Sequence, residues 1–379
     1  MFFLLDSFLL GGTETQAVEL ARRLDPLRYH VTLGCLRSEG PLRERLSGSS
    51  VCTMPVDIGA GIDSPSGIVA VLRLARLLHR ERFEILHAHD LWSNLVGTTA
   101  AALARVPVRL TSQRDLSHDA WYGTYRGYFL RLVQSRSSAV IVNAEAIRNA
   151  LVNQDGIPPA KVHIIHNGVD LDRFQQNPGR RELLFPNSTD RMLIVLVGNM
   201  NSDVKGHSYL IAAAGEIVKS FPSTCFVLVG DGPKRQTYET QVEVRGLKAN
   251  FLFMGRRADV PQILACCDIA VLPSLAEGLP NAVLEYLAAG LPVVASALGG
   301  NLEVIQDGRT GLLARSQDSA ALASTLIRLL SDEKLRQRIG VAGRRHVAEN
   351  FSFERLVSEV DNLYTTLLQT VGRRQRESA

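Results

Sequence analysis

Two carboxylates, Glu277 and Glu285, stand eight positions apart in the segment AEGLPNAVLEYLAAG. The segment predicts a helix from about Pro280 to Ala289, because proline suits the first helical position and a glycine, here Gly290, suits the exit. Glu277 then precedes the helix and Glu285 lies inside it. Since a helix N-terminus offers free N–H groups and partial positive charge, it suits a diphosphate, and the carboxylates remain to accept hydrogen bonds from sugar hydroxyls.

A glycine pair supplies a second candidate binding element, in GGTETQAVELARRL. Thr13 is predicted to cap the helix that follows, with Gln16 three residues on. Two glycines directly before a helix leave room for a ligand near backbone N–H groups, so Gly12 is a candidate binding residue. A plain tight turn is the alternative interpretation.

Histidines and aspartates raise the question of a metal site. His87 and His89 in ILHAHD point the same way from a predicted strand, with Asp90 beside them. No third ligand stands at a suitable spacing, so we predict no metal and interpret His89 as a polar group that lines a cleft. The DLD sequence at Asp170–Asp172 imitates a D-x-D metal motif, but aspartate at that junction is typical of turns and caps.

The elements that must position these residues alternate between short apolar runs and helical patterns. The runs are FFLLDSF, HVTLGCL, FEILHAH, VPVRLTS, AVIVNA and KVHIIHN, then MLIVLVG, CFVLVGDG, FLFMGR, IAVLPS and PVVAS. Strict alternation predicts parallel sheets covered on both faces, and the polar stretch between the two sets marks a domain boundary. Ligands in such sheets bind outside the carboxyl ends of the strands.

Composition narrows the class of protein. At 379 residues the chain is long enough for two domains, and 46% hydrophobic with 21% charged residues is ordinary for a globular protein. A net charge of +4 is too mild and too dispersed to predict nucleic-acid binding. The five cysteines form no C-x-x-C pair, which favours a reducing compartment, and no apolar stretch is long enough to span a membrane.

The segment around Glu277 and Glu285 resembles the E-x7-E signature of retaining glycosyltransferases of family four, which have the GT-B fold. Other segments resemble the family in order: GGTETQ, HNGVDLDRF, VKGHSYLIAAA, VGDGP, FMGRRADV and GGNLEVIQDGRTGLL. The resemblance implies two Rossmann-like doubly wound domains that face each other across a cleft. Residues 1–168 would bind the acceptor and residues 169–351 the nucleotide sugar, with a terminal helix at about 352–370 packing back on the first domain.

The resemblance also implies roles for individual residues. Glu285 takes the ribose hydroxyls of the nucleotide, and Arg256 lies near the base. Lys205 matches a lysine that faces the donor diphosphate, and a solvated loop lysine is the alternative. Asn199 stands where the family usually has an arginine, which keeps a donor but loses a charge. The residues implied to hold the donor sugar are Glu277 and the backbone of Gly278, Leu279 and Pro280, with Glu277 and Lys205 as the catalytic pair. Asn281 is a further predicted substrate-binding residue.

The first domain departs from the family pattern after the strand VPVRLTS. Several members place a histidine there, but this chain has Gln113 followed by Arg114. Arg114 and Asp115 are candidates to hold a phosphate or hydroxyl of the acceptor, and a structural Arg–Asp pair is the alternative. The stretch DAWYGTYRGYFLRLVQSRS is predicted to be a helix with an apolar stripe, which is either core or a surface for a membrane or a lipid-linked acceptor. That stripe contains Trp121, Tyr125, Tyr128, Phe129 and Leu132, with Arg126, Arg131 and Arg136 around it.

These residues predict a retaining, metal-independent hexosyltransferase. It would move a sugar from a UDP- or GDP-sugar to a glycan or lipid-linked acceptor in bacterial surface or extracellular polysaccharide synthesis. The nucleotide sugar is a co-substrate, so no cofactor is predicted. The expected location is cytoplasmic, with peripheral contact at the inner face of a membrane. The main alternative is a non-catalytic subunit that binds a nucleotide sugar; a sugar-nucleotide epimerase does not explain the glutamate pair.

Overall fold

The computed structural model describes residues 1–37, 40–56, 65–115, 118–174, 180–186 and 190–377, with side chains described except at positions 65, 118–126 and 374–377. The chain divides into two compact units. One comprises Met1–Gly168 together with Phe353–Ala379, and the other is Val169–Ser352. The last helix therefore belongs to the first unit.

The first unit is built on a parallel sheet with the strand order β3-β2-β1-β4-β5-β6-β7. Because β1 and β4 are neighbours, the sheet changes winding direction there, which is where such sheets bind ligands. The strands are β1 Phe2–Ser7, β2 Thr32–Arg37, β3 Cys52–Pro55, β4 Ile85–Ala88, β5 Val108–Gln113, β6 Ala139–Val142 and β7 Val162–Ile164.

Helices cover both faces of this first sheet, which explains why β1 reads as a nearly continuous apolar run. Phe3 and Leu5 face one hydrophobic cluster, and Phe2 and Leu4 face another on the opposite side. The helices are α1 Gly12–Arg23, α2 Pro65–Arg80, α3 Leu91–Leu103, α4 His118–Arg136 and α5 Glu145–Asn153, with 3-10 turns at Pro41–Leu46 and Pro159–Lys161.

The C-terminal helix, Phe353–Glu377, packs on the first sheet with α1. Its apolar residues Leu356, Val360 and Tyr364 are buried in the same cluster as Phe3. The Tyr29 hydroxyl donates a 2.6 Å hydrogen bond to the Asp361 carboxylate of this helix. Burial and a polar contact together attach the helix to the first unit.

The second unit has a parallel sheet in the order β10-β9-β8-β11-β12-β13, and its winding direction changes between β8 and β11. The strands are β8 Leu193–Val197, β9 Cys225–Val229, β10 Phe251–Gly255, β11 Ile269–Leu272, β12 Val293–Ser296 and β13 Leu312–Ala314. The helices are α6 Arg181–Leu184, α7 His207–Ser220, α8 Arg235–Val244, α9 Val260–Ala265, α10 Asn281–Ala288, α11 Asn301–Val304, α12 Ser319–Ser331 and α13 Glu333–Asn350. Further 3-10 turns lie at Asp172–Phe174, Asp203–Lys205 and Lys248–Asn250.

The prediction of two doubly wound α/β domains is confirmed. The apolar runs identified in the sequence became strands, but β3 and β13 were missed. Both are edge strands, and β3 contains no fully buried residue, so its side chains carry little of the apolar signal that marks a central strand. None of the described helices is both long enough and apolar enough to cross a membrane.

Candidate functional site

An ion pair stands at the carboxyl end of the second sheet. The Lys205 ammonium nitrogen lies 2.8 Å from Glu277 Oε1, and the Glu277 side chain is only 8% exposed. Lys205 ends a 3-10 turn that closes on Gly206, whose φ of 74° favours glycine. A Cβ on Gly206 would lie 1.8 Å from the carbonyl oxygen of Pro273, so close backbone contact fixes where Lys205 sits.

The helix after Glu277 begins one residue later than predicted. Pro280 has φ −77° and ψ 117°, so its backbone is extended and it occupies the cap position before Asn281. The predicted helix start at Pro280 was wrong because the φ of proline is compatible with both the helical and the extended conformation, and the ψ angle decides between the two. Gly290 follows the helix with a left-handed φ of 77°, as its place in the sequence indicated.

Glu285 lies on the second turn of α10 and is half-buried. Its neighbour Tyr286 is fully buried, and the Tyr286 hydroxyl accepts a 2.6 Å hydrogen bond from the backbone N–H of Val197 at the end of β8. Burial raises the pKa of Tyr286, and the negative charges of Glu285 and Glu277 raise it further. Both carboxylates therefore act electrostatically on the same buried hydroxyl.

A second glycine pair, Gly299 and Gly300, contacts the backbone of the Glu277 loop. A Cβ on Gly299, which has φ 48°, would lie 2.2 Å from the carbonyl oxygen of Glu277. A Cβ on Gly300 would lie 2.2 Å from the oxygen of Gly278, to which the Gly300 N–H donates a 2.9 Å hydrogen bond. Only glycine fits at either position, and two adjacent glycines after a buried strand were the signal for it.

The other predicted donor-side residues lie along the same edge. Gly278 and Pro280 flank Leu279, and these residues lead into α10 from Glu277. Asn199 is exposed just beyond β8, next to Gly198, whose Cβ would lie 3.1 Å from Lys205 Cγ. Arg256 is exposed at the end of β10, two strands from β8 in the sheet order, so the structure places it farther along the edge than the Lys205–Glu277 pair.

In the first unit, Gly12 is the first residue of α1, and the predicted Thr13 cap was wrong. Gly11 occupies the cap position and makes no side-chain cap bond. Gln16 is not part of a capping box either. Its amide exchanges two hydrogen bonds with the backbone of Gly168, donating at 2.7 Å and accepting at 3.0 Å. The side chain thus ties α1 to the end of the segment that follows β7, a contact too distant in sequence for a local motif to reveal.

His87 and His89 are fully buried on the same face of β4, with ring centroids 3.9 Å apart. Both nitrogens of His87 are paired, Nδ1 with the Tyr364 hydroxyl at 2.6 Å and Nε2 with the Ser112 hydroxyl at 2.8 Å. Burial lowers the pKa of His87 to about 3, and burial with the neighbouring His87 and Arg114 lowers that of His89 well below its usual value. Both rings are therefore neutral at physiological pH.

Arg114 follows β5 and does not form the Arg–Asp pair that the sequence offered as an alternative. Its guanidinium Nη1 donates to Asn167 Oδ1, while Asp115 is exposed. Burial lowers the pKa of Arg114 to about 10, which still leaves it cationic at neutral pH. His89 and Arg114 lie near each other, because they follow the paired strands β4 and β5, and the charge of Arg114 contributes to the lowered pKa of His89.

A carboxylate pair at the β1/β4 switch point was missed in the sequence. Asp6 Oδ1 and Asp90 Oδ1 both accept from the backbone N–H of Ser93, at 2.9 and 3.2 Å. Burial and the nearby Asp90 raise the pKa of Asp6 to about 10, and burial raises that of Glu14 to about 7. These acids lie where the sheet reverses its winding. Among the residues that the structure describes, no group of three or more His, Cys, Asp or Glu side chains is arranged to hold a metal ion.

Two family profiles match the chain. Residues 10–173 match "Glycosyltransferase Family 4", and residues 191–332 match "Glycosyl transferases group 1". Together they cover most of the chain and both of its units.

Curated relatives are similar over nearly the whole length. An Escherichia coli protein, UDP-Gal:alpha-D-GlcNAc-diphosphoundecaprenol alpha-1,3-galactosyltransferase, is 26% identical, with 95% of each chain covered. N-acetyl-alpha-D-glucosaminyl L-malate synthase of Bacillus anthracis is 26% identical, with 80% of each chain covered. The crystal structure of Anabaena HepE in complex with UDP-glucose superposes with a TM-score of 0.85 at 23% identity, covering 96% of this chain and 99% of that one.

Proposed function

The chain belongs to glycosyltransferase family four and has the GT-B fold, and from that premise we propose that it transfers a sugar from a UDP- or GDP-sugar to a hydroxyl of a glycan or lipid-linked acceptor. The observation that carries the proposal is the 2.8 Å pair of Lys205 with Glu277, beside the start of α10 at the carboxyl edge of the second sheet. The name of the E. coli relative includes a UDP-sugar donor and a lipid-diphosphate acceptor, which supports a role in bacterial surface or extracellular polysaccharide synthesis.

The second unit would bind the donor. The diphosphate would face the N-terminus of α10 and the Lys205 ammonium, both of which favour negative charge. Glu277, held by Lys205, would accept hydrogen bonds from the sugar together with the backbone of Gly278, Leu279 and Pro280, and Asn281 would lie at the helix tip. Glu285 would accept from the ribose hydroxyls. Asn199 would donate to the diphosphate, and Arg256 would lie near the base.

Retention follows if the acceptor attacks on the face that the diphosphate leaves. The acceptor oxygen bonds to the anomeric carbon as the bond to the phosphate oxygen breaks, and that departing oxygen takes the acceptor proton. No protein nucleophile and no metal enter this scheme. The protein contributes orientation and stabilisation of the leaving charge, with Lys205 and the helix N-terminus as the sources of positive charge.

The first unit would bind the acceptor. Gly12, His89 and Arg114 lie at or beside the carboxyl ends of its strands, near the β1/β4 switch point. Backbone N–H groups at the start of α1 and the Arg114 cation supply hydrogen-bond donors. The Asp6–Asp90 pair, in which the raised pKa of Asp6 keeps that acid protonated at neutral pH, would supply a carboxylate acceptor from Asp90 and an acid hydroxyl from Asp6 for sugar hydroxyls on the opposite face of the sheet.

Nucleotide release is the direct test of transferase activity. The purified protein would be incubated with a panel of UDP- and GDP-sugars, and slow hydrolysis without an acceptor is the expected result. Asn199, which lacks the charge of the family arginine, favours the alternative of a non-catalytic subunit that only binds a nucleotide sugar. Binding of a nucleotide sugar without any release of nucleotide, with every acceptor tried, would favour that alternative.

Glu277→Ala tests the central residue of the donor site. We expect transfer to be abolished while the fold survives, because the Glu277 side chain contacts Lys205 at the sheet edge rather than the hydrophobic core. Glu216→Ala is the matched control, since Glu216 is an exposed helical carboxylate paired with Lys219. Transfer retained in Glu277→Ala, with circular dichroism unchanged, would remove Glu277 from the mechanism.

We also propose peripheral contact with a membrane through α2 and α4, which both pack against α3. Large apolar side chains are exposed on both helices, and Arg73 and Arg76 are exposed on α2, as expected for a surface that meets anionic lipid. Trp121 and Tyr125 of the predicted stripe lie outside the described side chains. The exposed apolar residues are Ile68 at 63%, Val69 at 43%, Leu72 at 44%, Tyr128 at 63%, Phe129 at 54% and Leu132 at 37%.

Vesicle flotation tests this contact. We expect the protein to float with vesicles that contain phosphatidylglycerol but not with pure phosphatidylcholine. The double variant Ile68→Ser/Phe129→Ser should float less, and Leu183→Ser, an exposed leucine of the second unit, serves as the control. Equal flotation of all three proteins would contradict this surface assignment.

A further inference from the structure

A set of buried polar atoms in the first unit lacks partners. His89 is fully buried, and neither of its ring nitrogens has a hydrogen-bond partner within the described part of the chain. Arg114 Nε is also buried and unpartnered there. Buried donors are nearly always hydrogen-bonded, because an unpaired one loses its hydration without compensation. These atoms belong to side chains that follow the neighbouring strands β4 and β5, and the charge of Arg114 acts on His89.

His87 and His89 differ in how their rings are paired. His87 lies two residues earlier on the same strand face, and both of its ring nitrogens have hydroxyl partners, in Tyr364 and Ser112. Other buried polar atoms of the first unit also lack partners in the described residues, among them Thr98 Oγ1 and Thr111 Oγ1. His89 and Arg114 are distinguished by their position, because they follow the neighbouring strands β4 and β5 at the carboxyl end of the sheet, where doubly wound proteins bind ligands.

The charge around Arg114 is also unbalanced. Its guanidinium donates to the neutral amide of Asn167, and it forms no ion pair with a carboxylate of the described residues. The carboxylates of Asp6 and Asp90 do not neutralise it, since they bind Ser93 at the start of α3, on the face opposite the C-terminal helix. Arg114 is half-buried with its Nε atom enclosed, and a cation in such a place without an anion is costly, so an anionic ligand would stabilise this arrangement.

The geometry of the donors favours a phosphate over a carboxylate. A guanidinium presents its Nε–H and one Nη–H as a parallel pair, which suits two oxygens of one anion. The neutral His89 ring adds one N–H from the neighbouring strand. A carboxylate has only two oxygens, whereas a phosphate group offers a third for the imidazole. Asn167 accepts from Nη1 and so acts as a positioning residue that orients the guanidinium.

We propose that Arg114 and His89, with Asn167 orienting Arg114, bind a phosphate group of the acceptor substrate. The acceptor assignment rests on the proposed transferase function, while the phosphate site itself does not. The class of acceptor would be a phosphorylated or diphosphate-linked saccharide. The phosphate would bind on the face of the first sheet that the C-terminal helix covers, and the acceptor sugar would extend along the carboxyl edge.

Nuclear magnetic resonance of the histidine rings tests the site directly. The full chain has nine histidines, so ¹⁵N-labelled imidazole signals can be assigned, with His89→Gln identifying the His89 signal. Pyrophosphate would be titrated in the presence of saturating UDP, so that the donor site is occupied. We expect a saturable shift of the His89 signal. Absence of that shift would overturn the proposal.

Variants at Arg114 make the test quantitative. Arg114→Gln should raise the apparent Kd for pyrophosphate at least tenfold, whereas Arg136→Gln, which alters an exposed arginine of α4, should change it less than twofold. Thermal unfolding separates binding from folding. Pyrophosphate should raise the Tm of the unsubstituted protein but not that of Arg114→Gln, and Arg114→Lys, which keeps the charge, should respond weakly. An equal response in all of these proteins would overturn the assignment of Arg114.

An alkyl diphosphate distinguishes an acceptor phosphate from a free one. If it shifts the His89 signal with an affinity comparable to that of pyrophosphate, the site accepts a phosphate joined to a larger molecule, as the proposal requires. Exclusion of the alkyl diphosphate, with pyrophosphate still bound, would overturn the acceptor assignment. Nucleotide release from a nucleotide sugar is measured separately, so a failure of the transferase proposal would be recognised even where the His89 shift occurs.

Discussion

Lys205→Met separates the chemical role of the Lys205–Glu277 pair from its structural role. Methionine has nearly the length of lysine but neither its charge nor its donors. The substitution removes the cation 2.8 Å from Glu277 and leaves a carboxylate whose side chain is 8% exposed. Two effects are therefore expected, one on catalysis and one on the stability of the second unit.

Their magnitudes follow from the chemistry of each state. Loss of one preorganised donor to developing negative charge costs about 3–4 kcal/mol in the transition state, so kcat should fall by roughly 10²–10³. Leaving a buried group unsatisfied costs about 1–3 kcal/mol of folding free energy, and the 29% exposure of the Lys205 side chain places the loss toward the lower end. For a domain of this size that lowers the Tm by a few degrees, at about 2–4 °C per kcal/mol.

The double variant Lys205→Met/Glu277→Gln distinguishes the two effects. It removes the unpaired carboxylate, so the Tm should recover, while kcat should stay low because neither the cation nor the carboxylate is restored. The assays are initial rates of nucleotide release and calorimetric unfolding. Lys219→Met is the control, because Lys219 forms an exposed pair with Glu216 on α7. A kcat within threefold of the unsubstituted protein, or a kcat that recovers together with the Tm, would refute this account of Lys205.

Three further predictions concern Gly300, the Asp6–Asp90 pair and the absence of a metal from the proposed scheme. Gly300→Ala should lower kcat at least tenfold, because its Cβ would lie 2.2 Å from the Gly278 oxygen, whereas Gly215→Ala, with open space around its Cβ, should keep full activity in the same nucleotide-release assay. Because the pKa of Asp6 is raised to about 10, its contribution to stability is present below pH 4 and is lost as the pH rises toward 10. Asp6→Asn should therefore flatten the decline in Tm between pH 5 and 8. An unchanged slope would contradict the raised pKa of Asp6. Nucleotide release should persist in excess EDTA. If EDTA abolishes nucleotide release and Mg²⁺ restores it, the proposed metal-independent scheme is wrong.

The proposed donor side was largely visible in the sequence because its signals are local. Glu277, Pro280 and Gly290 fall within fifteen residues, and each has a position-specific role at a helix end. The exact helix start was not predictable, since it depends on the ψ of Pro280. Gly299 and Gly300 were visible as a pair, but their function depends on a contact with Glu277 and Gly278 that only the packed structure defines.

The proposed acceptor side was less visible because its contacts join distant parts of the chain. Asp6 meets Asp90 across 84 positions, and Arg114 meets Asn167 across 53. No helical or strand periodicity connects such pairs, and the parallel order of the sheet determines which strand ends become neighbours. The sequence identified Arg114 as a candidate by its place after a strand, and it offered Asp115 as its partner. The structure shows Asn167 instead, which leaves the arginine charge available for a ligand.

This difference in how the two sites are built has a functional consequence. The proposed donor side depends on backbone contacts, in which Gly206, Gly299 and Gly300 have no room for a side chain. Substitution there moves the chain that carries Lys205 or Glu277, so we expect little tolerance of change. The proposed acceptor side depends on side chains at strand ends, such as Arg114, whose contact with Asn167 joins two side chains and holds no backbone group. A fold built this way can keep one donor chemistry while its acceptor changes with a few substitutions, and we therefore expect exchanges at Arg114 to alter acceptor choice before they alter nucleotide release.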